Sequence, residues 1–191
     1  MNEEEKIMAC STEGQMDRRV QQFNKIYQLN DLTNKIIEKI QCEDNTNSLP
    51  KGTFEEVVDL NNAHMSLTYL MHMAENRYAI IVSNHLNEMD AIKEVVYQYG
   101  VSLAIECEHI DEMTNYVLSN ILDGMPCDET YILLENEDNR IVWQKIVDTH
   151  APFWNDVNNY YILMNEYVRG MLSKTSFSFT IKNNEIFMIS K

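Results

Sequence analysis

The sequence predicts an α+β fold, helix-dominated and in a single domain, and three observations predict it. Apolar residues recur at three- and four-residue steps through most of the chain, as amphipathic helices require. The clearest period-two alternation, SFSFTIKNNEIFMIS, lies at the C-terminus and reads as a β-hairpin over about 176–190. The 191 residues are 45% apolar, enough to fill one core and too many for a disordered chain.

Residues 1–14 are polar and aperiodic and are expected to fray, which leaves 15–191 as the domain. From Met16, the positions Val20, Phe23, Ile26, Tyr27, Ile36, Ile37 and Ile40 predict a helix over about 16–42. EDNTNSLPKG, residues 43–52, is a cluster of turn formers that predicts a loop before the main body, 53–191. Thr53 and Glu56 have the spacing of a capping box, so a helix should start at Phe54.

Its inner positions run from Val57, Leu60 and His64 through Leu67, Met71, Ala74, Tyr78, Ile81, His85, Ile92 and Val95 to Tyr99. Neither Gly nor Pro interrupts the run, which predicts one long helix over about 54–99. A buried strand at YAIIVS, residues 78–83, is the alternative that pattern alone leaves open. Gly100 reads as the stop of this helix and Ser102 as the N-cap of a second, over about 102–122. On that second helix Leu103, Cys107, Ile110, Met113, Val117 and Ile121 face inward. Glu108, Asp111 and Glu112 face out, with Glu106 at the edge of the apolar stripe.

Asp123-Gly124 and Pro126 end the segment. Residues 129–147 stay open between a hairpin turning at NEDN and two short helices. After Pro152, Asn155 or Asp156 caps a helix whose face is Tyr160, Leu163, Met164, Tyr167, Val168 and Met171 and which ends near Ser173. Asn183-Asn184 then turns the C-terminal hairpin, which needs a partner such as YILL or RIVW because a lone hairpin is marginal in water.

Most familiar chemistry is disfavoured. Five scattered glycines exclude GxGxxG, Walker A and GxSxG loops, and no HExxH or calcium-loop spacing occurs. Cys10, Cys42, Cys107 and Cys127 include no CxxC and read as free thiols. Cys107-x-His109 with Cys127 is the one weak zinc arrangement, and a core thiol beside a solvent histidine explains it better. His64 and His85 read as core or interface histidines. The expectation is therefore a protein that is not an enzyme, with no cofactor and no metal. The MNEEEK start and the lack of a long apolar run predict neither signal peptide nor membrane span, and hence a cytoplasmic protein.

Charge is the strongest feature. Net charge is −15, and residues 105–138 hold ten acids and no base. Such a field repels nucleic acid and suits a basic protein surface. Glu106, Glu108, Asp111, Glu112, Asp128, Glu129, Glu135, Glu137 and Asp138 are the expected partner-binding residues. Acids three and four apart on a helix stand about 6 Å apart, close to phosphate spacing, so this face suits a groove built for nucleic acid. The expected function is inhibition of a basic, nucleic-acid-handling protein, by analogy of class with phage anti-restriction and anti-CRISPR proteins and toxin-neutralising immunity proteins. The alternative is a helical homo-oligomeric assembly protein, a homodimer joined along 57–99, whose charge serves only solubility.

Overall fold

The computed structural model describes residues 12–125 and 128–191, and within them the chain is α+β. Helix α1 (Thr12–Ile40) begins inside the segment expected to fray and buries Phe23, Ile26, Leu32 and Ile36 at three- to six-residue steps. It ends where Gln41 takes a positive φ of 53°. The following loop is fastened by Arg77, which is buried and reaches Asp44 Oδ2 at 2.7 Å, Asn30 Oδ1 at 2.8 Å and Asn34 Oδ1 at 2.8 Å.

The long helix expected over 54–99 is three helices. Glu56 caps as its spacing suggests, accepting the Thr53 N–H at 2.8 Å, but α2 (Phe54–Val57) is a single turn. Val58 is extended, and Asp59 Oδ1 accepts the Asn61 N–H at 3.0 Å, starting a 3₁₀ turn that competes with the helix. The break resets the phase. Val58 is buried in place of Val57, and Leu60 and His64 are exposed.

α3 (Ala63–Asn84) includes residues 78–83, so YAIIVS is helix and not strand. It stops at His85, whose Nδ1 meets the Ile81 carbonyl at 2.8 Å, and after a 3₁₀ turn the chain resumes as α4 (Met89–Ser102). Leu67 and Ile81, on the expected dimer seam, are buried within the single chain. Past the turn between them, α3 and α4 both contribute to the larger core, through Tyr78, Ile81 and Val82 and through Ile92 and Val96.

Gly100 is not a stop. α4 runs through it and crosses α6 (Asn158–Met171) at Gly170. A Cβ on Gly100 would lie 2.2 Å from the Tyr167 carbonyl oxygen, and one on Gly170 would lie 2.2 Å from that of Tyr97. Two glycines on facing helices thus let the backbones touch. Asp156 Oδ1 accepts the Asn158 N–H at 3.0 Å, so α6 starts just after the residue expected to cap it.

Residues 103–109 are not helical, and α5 spans only Ile110–Asn120. Their carbonyls are taken sideways: Tyr116 Oη donates to Leu103 at 2.6 Å, and Lys174 Nζ donates to Ala104 at 2.9 Å. Residues 129–147 resolve as a hairpin, β1 (Tyr131–Glu137) and β2 (Arg140–Lys145), turning within NEDN. β3 (Ser178–Lys182) and β4 (Ile186–Ser190) form the C-terminal hairpin, with Asn183 and Asn184 at φ 56° and 59°. The four strands make one antiparallel sheet in the order β1-β2-β4-β3. Trp143, Phe179, Phe187 and Ile189 on its inner face join α4, α5 and α6 in the larger core, while α1, α2 and the first half of α3 enclose a smaller one.

Gly100→Ala and Gly170→Ala should each destabilise the protein by about 3 kcal/mol or leave it unfolded, since neither clash can be relieved without parting two helices. Urea denaturation measures this. A loss below about 1 kcal/mol would show that the helices separate easily.

Candidate functional site

Two charged features stand out, one outside and one inside. Outside lies the acidic segment. Glu106, Glu108, Asp111, Glu112, Asp128, Glu129, Glu137 and Asp138 are exposed, so Glu106 is not shielded by the apolar stripe. Glu135 is half-buried and ion-paired with Arg140. Asp128 Oδ2 accepts the Met125 N–H at 2.7 Å and helps shape the turn into β1. Among the described residues, Glu106, Glu108, Asp111, Glu112, Glu129, Glu137 and Asp138 enter no ion pair.

The expected helical triad is not built. Glu108 precedes α5 in the extended segment, whereas Asp111 and Glu112 occupy the first turn of α5, where carboxylates favour the helix dipole. The nine acids instead fall on four supports: the irregular run before α5, the start of α5, the turn into β1 and the β1–β2 hairpin. Helical phosphate-like spacing is therefore absent from this face.

Inside lies a network that sequence reasoning missed. Asp123, on the segment after α5, meets Lys145 Nζ of β2 through Oδ1 at 3.0 Å and Oδ2 at 2.9 Å. His150 Nε2 lies 3.3 Å from Asp123 Oδ1, and His150 Nδ1 lies 3.0 Å from Glu75 Oε1 on α3. Thr149 Oγ1 donates to Asp123 Oδ1 at 2.7 Å. The Tyr160 ring of α6 stacks on the imidazole with centroids 3.6 Å apart. Side-chain exposure of these four charged groups is 4% or less, so two acids and two bases neutralise one another away from solvent.

Burial acts to raise the Asp123 pKa, but His150 and Lys145 overcome it and hold the carboxyl well below the usual range. Burial acts to lower that of His150, and Glu75 and Asp123 reverse it, so the imidazolium persists above its ordinary pKa. Burial likewise raises the hydroxyl pKa of Tyr160, with Glu75 and Asp123 adding to it. Both imidazole nitrogens face carboxylates, which leaves neither as a base. The arrangement joins α3, β2 and the segment after α5 through charge.

Next to the network, a cavity of about 50 Å³ is lined by Gln28, Glu75, Tyr78, Tyr160 and Tyr167 among others. Glu75 Oε2 and Gln28 Oε1 are buried there without a protein donor, in a space otherwise walled largely by apolar side chains such as Leu32, Val96 and Leu163. An open cleft of about 500 Å³ is lined by Arg18, Gln22, Lys25, Asp123 and Tyr131 among others.

Other candidates disperse. His64 is exposed, and His85 is tied to its own helix. Cys107 Sγ rests 3.2 Å from the His109 carbonyl, while Cys10, Cys127 and Pro126 lie outside the described residues. Among the described residues no cluster of three His, Cys, Asp or Glu side chains is arranged for a metal, and no helix is long and apolar enough to cross a membrane. No family model, curated protein or solved structure matches the chain.

A signal for Glu75 was present in the sequence, an acid inside the apolar run LMHMAENRYAIIV. Its partners come from 48 to 75 residues further along, and no local pattern links them.

The pH dependence of stability follows from the two shifts. The raised His150 pKa contributes stability that is complete below the unfolded value of about 6.5 and fades as pH rises through the folded value. The lowered Asp123 pKa contributes stability that is complete above about 4 and fades as pH falls. Unfolding free energy from urea titrations should therefore be greatest between about pH 4 and 6.5, and His150→Gln should flatten the alkaline decline. Lys145→Met should cost about 3–5 kcal/mol, because it strands a buried carboxylate.

Proposed function

We propose that the protein is a non-catalytic binder of a basic protein, with the exposed acids of 106–138 as its contact surface and a nucleic-acid-handling enzyme as the partner it inhibits. One observation carries the reading. The acids that join distant segments, Asp44, Asp123 and Glu75, have cationic partners, while seven acids of the 106–138 segment are exposed and without any ion pair among the described residues. Unpaired like charges on one stretch of chain repel one another, and of the seven only Asp111 and Glu112, at the start of α5, support the fold. Opposite a basic surface the same charges accelerate association and form charge-assisted hydrogen bonds.

Charge, and not helical mimicry of a phosphate ladder, is what this reading rests on, because Glu108 leaves the helix that would have set the spacing. Occupation of a basic groove is enough for inhibition, since phosphate contacts supply much of a nucleic-acid binder's affinity.

The experiment is capture of the partner from lysate at about 50 and about 500 mM salt with nuclease added, followed by affinity measurement on the isolated complex. Glu106→Lys, Glu108→Lys, Glu137→Lys and Asp138→Lys combined spare the α5 dipole and should weaken the complex at least about a hundredfold at low salt. Equal affinity of variant and wild type, with no salt dependence, would remove the acidic face from the interaction.

A further inference from the structure

The sheet has two edges, and they are finished differently. β3 shows Ser178, Thr180 and Lys182 to solvent and lies beside α6, a polar edge of the kind that discourages further pairing. β1 shows Ile132, Leu133 and Leu134 in succession, at 44%, 62% and 47% exposure. Ile146, just past β2 and opposite Thr130, extends the same apolar surface at 54% exposure. The register shift at Leu134 holds this residue out of the ladder.

The ladder also fixes which β1 amides look outward. Lys145 gives its N–H to Glu185 at 2.8 Å, on the side away from β1. Lys145 and, two residues earlier, Trp143 therefore turn from β1, and their opposites Tyr131 and Leu133 direct their N–H groups to the open edge.

We infer that the β1 edge is a docking strand for an extended segment of the partner that alternates apolar and basic residues, added to the sheet by main-chain pairing. The inference rests on the basic-partner reading above and specifies where that partner engages. Charge decides the occupant. Glu129 precedes the strand, Glu137 ends it and Asp138 follows it, all exposed. A second copy paired in either direction would set acids against acids at both ends, which opposes assembly. A basic segment meets an acid at each end, while its apolar side chains, all on one face of the added strand, cover Ile132 on the outer face of the sheet. Strand addition of this kind takes affinity from backbone bonds and specificity from alternate side chains.

The probe is a synthetic nine-residue peptide of alternating Lys and Val, titrated into the full-length protein beside a Glu-Val peptide of equal length. Amide hydrogen exchange of the wild type should slow by at least about tenfold at Leu133 and Tyr131 with the Lys-Val peptide only. Leu133→Pro removes an outward donor without touching the β1–β2 ladder, and it should weaken that peptide by at least about tenfold with unchanged circular dichroism. Absence of binding overturns the inference. So does binding that leaves the β1 amides unprotected, and that result would keep the acidic face as a general contact while removing the strand. Failure of the broader reading shows separately, in a native complex indifferent to the four Lys substitutions.

Discussion

Asp123 is the point on which the rest of the structure depends. Its carboxylate is buried where the chain leaves α5, and it is tolerated there only because Lys145 from β2 and His150 from the following loop meet it. Through His150 the contact reaches Glu75 on α3, and through the stacked Tyr160 it reaches α6. One neutral cluster thus ties the helical half to the sheet, and the β1–β2 hairpin is held at the position from which its acids project. Leaving any one charge unpaired in such a place costs more than the pairing gains, so the cluster enforces a single arrangement more than it adds stability.

Inner and outer charges follow opposite rules. The buried cluster matches two acids with two bases and buried Arg77 meets Asp44, while the segment 105–138 gathers ten acids without a base, of which Asp123 alone is deeply buried with cationic partners. The protein can carry a net charge of −15 because its core is neutral and its surplus lies in water, where screening acts over about 8 Å. Part of the surplus, Glu129, Glu137 and Asp138, lies at the ends of the open β1 edge, which joins charge and apolar surface there.

Local features were legible in the sequence where the cause was local. The C-terminal hairpin, the Thr53–Glu56 cap and the stripe of α1 all rest on residues a few positions apart, whereas pattern left 129–147 open between a hairpin at NEDN and two short helices. Breaks within 54–99 were not legible, because Asp59 and His85 interrupt the helix through side-chain bonds to nearby backbone, without the Gly or Pro that announces a break. Gly100 was misread as a stop because its reason is Gly170, seventy residues away. Residues 103–109 carried a helical period, yet Tyr116 and Lys174 claim their carbonyls. The acidic surface was visible as composition; its division among an irregular run, a helix start, a turn and a hairpin was not. The Glu75–His150–Asp123–Lys145 cluster, built from four distant segments, left only the trace of one acid in an apolar run.

The state of the His150 ring tests this account most directly. Set between Glu75 and Asp123, the imidazole must carry protons on both nitrogens for the cluster to be neutral. ¹⁵N NMR of the folded protein at about pH 7.5, a full unit above the ordinary histidine pKa, should show Nδ1 and Nε2 of His150 both protonated. A neutral ring with one bare nitrogen at that pH would mean that the buried charges do not balance as described, and that something other than this network holds the sheet to the helices.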